Sequence, residues 1–417
     1  MQKLLIDGKK LLSGTINISG SKNASLPILA ATILNNNTKI TNIPLVKDII
    51  TMIDLLKFIG LKCKYSKKNN SVKILNNNLK INPVAPYNLV KTMRAGILVL
   101  GPLLAKYKKA KVSLPGGCAI GTRPVDLHLF ALKKLGANIK IKNGYIYASA
   151  PKGLIGNSIK FQKISVGATE NAILSSVCAK GITKIYNCAL EPEIIDLINF
   201  LKKLGSNIKL KGRQITVTDK IKTKRISHKV IFDRIELGTY LIAGALTAKK
   251  IRLKNINTKI IQTEINILKK MGVRMNVEKN LIDVYKSKNL KKIILKTEPY
   301  PGFPTDLQAQ IMILMTQAKG KSLIKENIFE NRFMHVPELK RMGAKIEIKN
   351  NLAYIQGPTY LNGAEVMATD LRASVSLVLA GMIAEKETKI NRIYHLDRGY
   401  EDLEKKLKKC NASIKRI

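Results

Sequence analysis

The 417-residue sequence has no tryptophan, and aromatic residues make up only 5% of it. It contains no uncharged apolar run of the roughly 18 residues that a membrane-spanning helix needs. Its five cysteines lack CxxC spacing and lie in no His/Cys cluster, which argues against a disulfide framework and a zinc site. We therefore expect free thiols, no metal site, no cofactor and no membrane association.

Acidic residues are scarce as well, with 28 Asp and Glu against 73 Lys and Arg and a formal net charge of +45. That charge makes a nucleic-acid-binding protein one hypothesis, for which a steep salt dependence of DNA binding would be expected. The lysines, however, are scattered through every segment, and few aromatic residues are present. We interpret the charge as a solvated basic surface that attracts small anionic substrates. We expect no nucleic-acid partner.

The first residues, MQKLLIDGKK, contain no signal-peptide core, so we expect a cytoplasmic protein. The length predicts two or more domains. The sequence sets no oligomeric state, and a monomer is compatible with it.

An internal repeat is the clearest architectural signal. A helical segment that ends in Leu-x-x-apolar-Gly, followed by an alternating apolar segment, occurs six times at spacings of 67 to 76 residues. Gly or Asn just past a helix end favours the left-handed conformation, and the alternating pattern predicts a strand. The residues at this position are Gly60, Gly136, Gly205, Gly272, Gly343 and Asn411.

A second helical segment, apolar nearly all round, precedes each of these helices by about thirty residues and is expected to be buried. Examples are ENAILSSVCA (170–179) and GTYLIAGALTA (238–248). Each repeat thus supplies one buried helix, one amphipathic helix and short strands. The sequence predicts an α/β fold of six helix/strand units, three in each of two lobes.

The stretch LPGGCAIGTRP, residues 114–124, is the candidate reactive loop. Gly116, Gly117 and Gly121 allow tight turns whose N–H groups bind anions. The charge of Arg123 would favour the thiolate of Cys118. The alternative is a Gly-Gly turn in which Cys118 is an inert small apolar residue.

Polar residues at the starts of the buried helices form a second candidate set, because helix N-termini favour anions. For any one of them the alternative is a helix cap or a surface ion pair; for Asp306 this is an N-cap of its helix. The set comprises Lys22, Asn23, Arg94, Thr169, Glu170, Arg234, Glu236, Asp306, Asp370 and Arg372.

Eight stretches carry a resemblance to a known family: INISGSKNASLPIL, APYNLVKTMRA, VSLPGGCAIGTRPVDLH, KISVGAT, FPTDLQAQ, ENIFENRFMHVPELKRMGA, VMATDLRAS and RIYHLDRGYE. End to end, the chain resembles the UDP-N-acetylglucosamine 1-carboxyvinyltransferases, a family of enolpyruvyl transferases. The resemblance implies a two-lobed inside-out α/β barrel with three repeats in each lobe. It places residues 21–231 in one lobe and residues 1–20 with 232–417 in the other.

The resemblance also implies an activity. Members transfer the enolpyruvyl group of phosphoenolpyruvate to the 3-hydroxyl of UDP-N-acetylglucosamine and release phosphate. This is the first committed step of peptidoglycan precursor synthesis, which implies a role in cell-wall biogenesis, cell shape and cell division, and makes the enzyme a target of fosfomycin. The alternative is 5-enolpyruvylshikimate-3-phosphate synthase, which shares the architecture and phosphoenolpyruvate but lacks this cysteine loop.

The family roles carry over to matching positions of this sequence. Cys118 is implied to act as an acid or to attach transiently to phosphoenolpyruvate, and Asp306 to be the base near the sugar hydroxyl. Lys22, Arg123 and Arg398 are implied to bind the phosphate and carboxylate of phosphoenolpyruvate. Asp370 and Arg372 are implied to support lobe closure and catalysis. Contacts to the UDP-sugar are implied for Asn23, Arg94, Arg123, Pro124, Val125, Asp126, Leu127, Lys163, Ile164, Ser165, Val166 and Ile328.

Two positions depart from the family pattern. Leu98 stands where some members have tryptophan, and Leu190 replaces an arginine often seen before the glutamate. These departures concern peripheral sugar-nucleotide contacts and packing rather than the reactive loop.

Overall fold

The computed structural model describes residues 2–76, 81–116, 124–218 and 221–417. These residues divide into two compact units. The described residues between 20 and 231 form one, called here the 20–231 unit. Residues 2–19 and 232–417 form the other, called the 232–417 unit.

The described residues contain 24 strands and 13 α-helices. The strands are β1 (Leu4–Asp7), β2 (Leu12–Asn17), β3 (Asn37–Thr41), β4 (Lys62–Ser66), β5 (Ser71–Leu75), β6 (Val84–Ala85), β7 (Lys109–Ser113), β8 (Asn138–Lys142), β9 (Tyr145–Ser149), β10 (Ser158–Lys160), β11 (Thr183–Tyr186), β12 (Ile208–Lys211), β13 (Gln214–Val217), β14 (Arg225–Lys229), β15 (Ala248–Lys254), β16 (Arg274–Val277), β17 (Leu281–Tyr285), β18 (Ile294–Lys296), β19 (Gly320–Lys325), β20 (Lys345–Lys349), β21 (Leu352–Gly357), β22 (Glu365–Met367), β23 (Thr388–Asn391) and β24 (Ser413–Arg416). The α-helices are α1 (Lys22–Ala31), α2 (Lys47–Ile59), α3 (Tyr87–Val90), α4 (Leu100–Tyr107), α5 (Asp126–Lys134), α6 (Val166–Ser176), α7 (Pro192–Lys203), α8 (Arg234–Thr247), α9 (Gln262–Lys270), α10 (Gln308–Thr316), α11 (Val336–Arg341), α12 (Leu371–Ile383) and α13 (Leu403–Lys408). Short 3₁₀ segments cover Thr32–Leu34, Arg94–Val99, Thr258–Ile261, Thr305–Leu307 and Ile393–Arg398.

The strands of the described ranges form six four-stranded sheets, three in each unit. In each sheet an edge strand pairs in parallel with its neighbour, and the other two strands add in antiparallel fashion. The orders are β14-β3-β5-β4, β6-β7-β9-β8 and β10-β11-β13-β12 in the 20–231 unit. They are β16-β17-β15-β2, β18-β19-β21-β20 and β22-β23-β1-β24 in the 232–417 unit. The predicted α/β class and the count of three repeats per lobe are confirmed.

All six repeated helix ends adopt the predicted left-handed conformation. The φ angles are 118°, 91°, 93°, 84° and 97° at the five glycines and 68° at Asn411. A residue without a Cβ, or with a short polar side chain, accepts this conformation at low cost. The chain therefore reverses at each of these positions and begins the next antiparallel strand.

The six apolar segments are buried, and each unit has its own hydrophobic core. Helices α8, α10 and α12 pack on one another at the centre of the 232–417 unit. In the 20–231 unit, α1 and α6 pack on the helical segment of residues 94–107. That segment begins as a 3₁₀ helix before α4 rather than as one regular helix. No helix within the described ranges is both long and apolar enough to span a bilayer.

Candidate active site

Asp306 lies in the 3₁₀ turn that leads into α10. Its carboxylate accepts a hydrogen bond from Nη2 of Arg332 at 2.7 Å and from Nη2 of Arg372 at 2.8 Å. The arginine side chains are only 4% and 6% exposed, whereas the carboxylate is 27% exposed. The N-cap position of α10 is Leu307. Asp306 is therefore not the N-cap considered from the sequence, but the shared counterion of two buried cations.

Two buried guanidinium groups share the Asp306 carboxylate. The charge of Asp233 also acts on Arg372, and Asp370 accepts a hydrogen bond from its backbone N–H. Burial acts to lower the pKa of Arg372, but the charge and hydrogen bond of Asp306, together with Tyr400 and Asp233, outweigh burial, and the pKa is raised. Arg372 therefore stays charged. Arg332 was not predicted from the sequence, because it lies in the turn before α11 rather than at the start of a buried helix.

Glu326 positions the residues around Asp306. It is 3% exposed, and its Oε1 accepts hydrogen bonds from Thr297 Oγ1 and from the N–H of Ile328, both at 2.8 Å. Its Oε2 accepts from Thr305 Oγ1 at 2.9 Å. One buried carboxylate thus holds both the residue before Asp306 and the candidate sugar-nucleotide contact Ile328. No local pattern marked Glu326 in the sequence.

Asp370 and Arg398 belong to the last repeat of the same unit. Asp370 is the N-cap of α12, and its Oδ1 accepts from the N–H of Arg372 at 2.6 Å. Arg398 is half-buried at the end of a 3₁₀ segment. Burial and then the charge of Arg398 lower the pKa of His395, while Asp370 acts to raise it. The charges of Arg398 and Asp370 therefore both lie near that imidazole.

Lys22 and Asn23 lie in the first turn of α1 in the 20–231 unit. Ser21 caps this helix, its side chain accepting from the N–H of Ala24 at 3.2 Å. Lys22 is 8% exposed, and its Nζ lies 3.3 Å from Asp48 Oδ2. Asn23 is half-buried. The structure thus places a largely buried ammonium group, with a carboxylate beside it, at this helix start.

Arg94 contacts the last residue of the candidate reactive loop, Pro124. Its Nη2 donates to the carbonyl oxygen of Pro124 at 3.4 Å. Residues 117–123, which include Cys118 and Arg123, lie outside the described residues. Gly116 is described, and a Cβ there would lie 2.5 Å from the carbonyl oxygen of Lys91. The chain entering the loop therefore approaches a neighbouring backbone too closely for a side chain.

The remaining predicted sugar-nucleotide contacts lie at two helix starts of the 20–231 unit. Ser165 caps α6, its Oγ accepting from the N–H of Ala168 at 3.3 Å. Around α5, Pro124 and Asp126 are exposed, Val125 is buried and Leu127 is half-buried; before α6, Lys163 is exposed and Ile164, Ser165 and Val166 are half-buried.

Leu98, where the sequence departs from the family, is buried in the core at 3% exposure.

Three other polar residues at helix starts have structural partners. Thr169 Oγ1 accepts from the N–H of Ala189 at 3.1 Å. Arg234 lies 3.5 Å from the Glu264 carboxylate, with both side chains buried. The carboxylate of Glu236 accepts from Lys406 Nζ at 2.6 Å. These contacts support the structural alternative for all three.

The four described cysteines are free: Cys63, Cys178, Cys188 and Cys410. Burial raises the pKa of Cys63 and of Cys188 to about 12. Burial also raises the pKa of Cys410. These three thiols stay protonated, and so poorly nucleophilic, at neutral pH. Among the described residues, no three or more His, Cys, Asp or Glu side chains are grouped to hold a metal ion.

Two buried histidines make stability depend on pH. An unfolded histidine binds a proton near pH 6.5. Burial lowers the pKa of His128 to about 3, helped by Arg94, and lowers that of His335 to about 4. Between pH 6.5 and these lower values, the unfolded state binds more protons than the folded state. Each of the two histidines therefore lowers the free energy of unfolding by about 1.4 kcal/mol for every pH unit of acidification.

We therefore expect the two histidines to lower the free energy of unfolding, measured in urea, as the pH drops from about 6.5 towards 4. Burial raises the pKa of Glu170 and of Glu236, so these two carboxyl groups oppose that fall. His128→Gln should make this slope shallower by about one proton. An unchanged slope in that variant would contradict the assignment.

Comparisons with known proteins agree with this architecture. The family model described as EPSP synthase (3-phosphoshikimate 1-carboxyvinyltransferase) matches residues 6–407. The UDP-N-acetylglucosamine 1-carboxyvinyltransferase of Pelagibacter ubique (strain HTCC1062) is 59% identical across 100% of both chains. The protein of that name from Rickettsia akari (strain Hartford) is 52% identical, again across 100% of both chains.

A solved structure shares the fold. The enolpyruvyl transferase NikO from Streptomyces tendae matches with a TM-score of 0.90 at 23% identity, covering 100% of this chain and 98% of that one. Because the family model spans residues 6–407 and full-length relatives exceed 50% identity, the chain belongs to the EPSP synthase family of enolpyruvyl transferases.

Proposed function

We propose that this transferase moves the enolpyruvyl group of phosphoenolpyruvate to the 3-hydroxyl of UDP-N-acetylglucosamine and releases phosphate. The observation that carries the proposal is the Asp306 carboxylate held between Arg332 and Arg372. It occurs in a chain whose full-length relatives are UDP-N-acetylglucosamine 1-carboxyvinyltransferases. The reaction would make the protein a contributor to peptidoglycan precursor synthesis.

The reaction is an addition followed by an elimination. Protonation of C3 of phosphoenolpyruvate, assigned to Cys118 in this proposal, makes C2 electrophilic. The sugar 3-hydroxyl attacks C2 while Asp306 takes its proton. Loss of a C3 proton and of phosphate from C2 then leaves the enol ether. General acid and base catalysis of this kind typically contributes about 10²- to 10⁴-fold to the rate.

The arrangement of charges supports these roles. The guanidinium groups of Arg332 and Arg372 orient the Asp306 carboxylate through two hydrogen bonds. Both substrates carry phosphate groups, and positively charged side chains complement the negative charge of these groups. For this role we propose Lys22, Arg123 and Arg398.

The sugar nucleotide is proposed to contact Asn23, Arg94, residues 124–127, residues 163–166 and Ile328, with Asp370 and Arg372 in support. We place lobe boundaries at 20/21 and 231/232. We also propose that the enzyme acts in the cytoplasm, because its substrates are small, phosphorylated metabolites, and that it needs no membrane or nucleic-acid partner.

Phosphate release tests the proposal directly. Purified protein is incubated with phosphoenolpyruvate and either UDP-N-acetylglucosamine or shikimate 3-phosphate. We expect phosphate release only in the mixture of phosphoenolpyruvate and UDP-N-acetylglucosamine. Mass spectrometry of that mixture should show the sugar nucleotide heavier by one enolpyruvyl group. Release with shikimate 3-phosphate alone would favour the alternative acceptor, and release with neither would contradict enolpyruvyl transfer.

A further inference from the structure

A buried phenol joins the three central helices of the 232–417 unit. Tyr400 is 4% exposed. Its Oη lies 2.9 Å from Thr239 Oγ1 on α8 and 3.2 Å from Gln310 Nε2 on α10. It also lies 3.3 Å from Arg372 Nη1 on α12. One oxygen therefore contacts a polar side chain from each helix.

The directions of these hydrogen bonds follow from the groups involved. Arg372 and Gln310 donate through these nitrogens, so the phenol oxygen accepts from both. Thr239 donates its own proton to the Ile235 carbonyl at 2.9 Å, so Tyr400 donates to Thr239. The hydroxyl thus uses its proton and both lone pairs, and no other side chain of similar shape offers that combination.

The same cluster holds both members of the Asp306–Arg372 pair. Nε2 of Gln310 donates to the backbone carbonyl of Asp306 at 2.9 Å as well as to the phenol. Arg372 donates one nitrogen to the phenol and the other to the Asp306 carboxylate. The phenol oxygen is therefore linked to the Asp306 backbone through Gln310 and to the Asp306 carboxylate through Arg372.

Tyr400 also fixes the segment that carries Arg398. It lies two residues further along the chain, and its backbone N–H donates to the Leu396 carbonyl at 3.1 Å. At the residue between them, Gly399, a Cβ would lie 2.7 Å from Leu371 Cδ2. Gly399 thus packs closely on Leu371, the first residue of α12, and the hydrogen bonds of Tyr400 restrict the movement of this segment.

We propose that Tyr400 is a positioning residue that keeps the Asp306–Arg372 pair and Arg398 in one fixed arrangement. The inference rests on the proposed function, in which Asp306 and Arg398 contact the substrates. Tyr400 touches no reacting atom in this scheme. It acts through the groups that do.

Tyr400→Phe removes the hydroxyl and keeps the ring. We expect kcat to fall by about 10- to 100-fold, since small misplacement of reacting groups costs this much. Tyr240→Phe is the matched control. Tyr240 is also buried, at 1% exposure on α8, but its hydroxyl has no hydrogen-bond partner within the described residues. Its loss should leave kcat within about twofold of the original value.

A double-mutant cycle separates positioning from simple loss of structure. In an Asp306→Asn background, Tyr400→Phe should cost less than about threefold in kcat, because the pair that it positions is already broken. Equal losses in both backgrounds would overturn the inference. The urea unfolding equilibria of the same four proteins give the coupling independently of turnover. If the unaltered protein shows no turnover, the proposed function fails, and additive unfolding effects would then overturn the inference on their own.

Discussion

Treatment with fosfomycin, an epoxide phosphonate, is expected to modify Cys118 and to leave Cys63, Cys188 and Cys410 unmodified. Only a thiolate opens the epoxide at a useful rate. A pKa of about 12 at Cys63 and Cys188 leaves roughly three orders of magnitude less thiolate at neutral pH than an ordinary thiol has. Peptide mapping by mass spectrometry identifies the modified residue.

Two controls sharpen this experiment. Glycidol carries the epoxide without the phosphonate, so a much slower reaction with glycidol would show that an anion site lies beside the thiol. Cys118→Asp should resist fosfomycin and keep some turnover, because a carboxyl group carries a proton but is a poorer nucleophile. Modification of another cysteine, with Cys118 untouched, would remove Cys118 from the reactive role.

Asp306→Asn is expected to lower kcat by about 10²-fold or more, because an amide cannot accept the proton of the sugar hydroxyl. The same change should also reduce the free energy of unfolding by about 3 kcal/mol, because Arg332 and Arg372 lose their shared counterion. If Asp306 were a helix cap, Asn would replace it with little loss of stability. Phosphate release and urea unfolding measure the two effects.

Asp283→Asn is the matched control for the loss of an ion pair. Asp283 accepts two hydrogen bonds from Arg252, both at 2.8 Å, and lies 3.0 Å from Lys250. This cluster lies on β15 and β17 and contains no candidate substrate contact. We expect that variant to lose stability and keep its kcat. A kcat within about threefold of the original for Asp306→Asn would end the assignment of Asp306 as the base.

Local patterns in the sequence predicted the features that depend on local physics. The helix ends at Gly60 and Asn411 were predictable because only a few residue types tolerate a positive φ. The buried helices α8 and α12 were predictable because they lack a polar face. These patterns define the six repeats, and the number of repeats equals the number of four-stranded sheets among the described residues.

Partners that meet only in the folded chain were not predictable in this way. Arg332 is 26 residues from Asp306 and Arg372 is 66 residues away, yet both bind its carboxylate. The sequence showed a carboxylate before a buried helix, which is typical of a cap. Glu326 and Tyr400 were missed for the same reason, since a single polar residue in a loop carries no periodic signal.

The pairing of β1 has a consequence for synthesis on the ribosome. This strand lies between β23 and β24, so both of its neighbours are translated more than 380 residues later. Lys3 and Ile417 exchange two backbone hydrogen bonds, of 2.8 and 3.0 Å. The 20–231 unit, in contrast, draws all its described strands from its own segment. It can therefore fold as soon as β14 has emerged, whereas the first strand of the nascent chain must wait for the last one before its sheet can form.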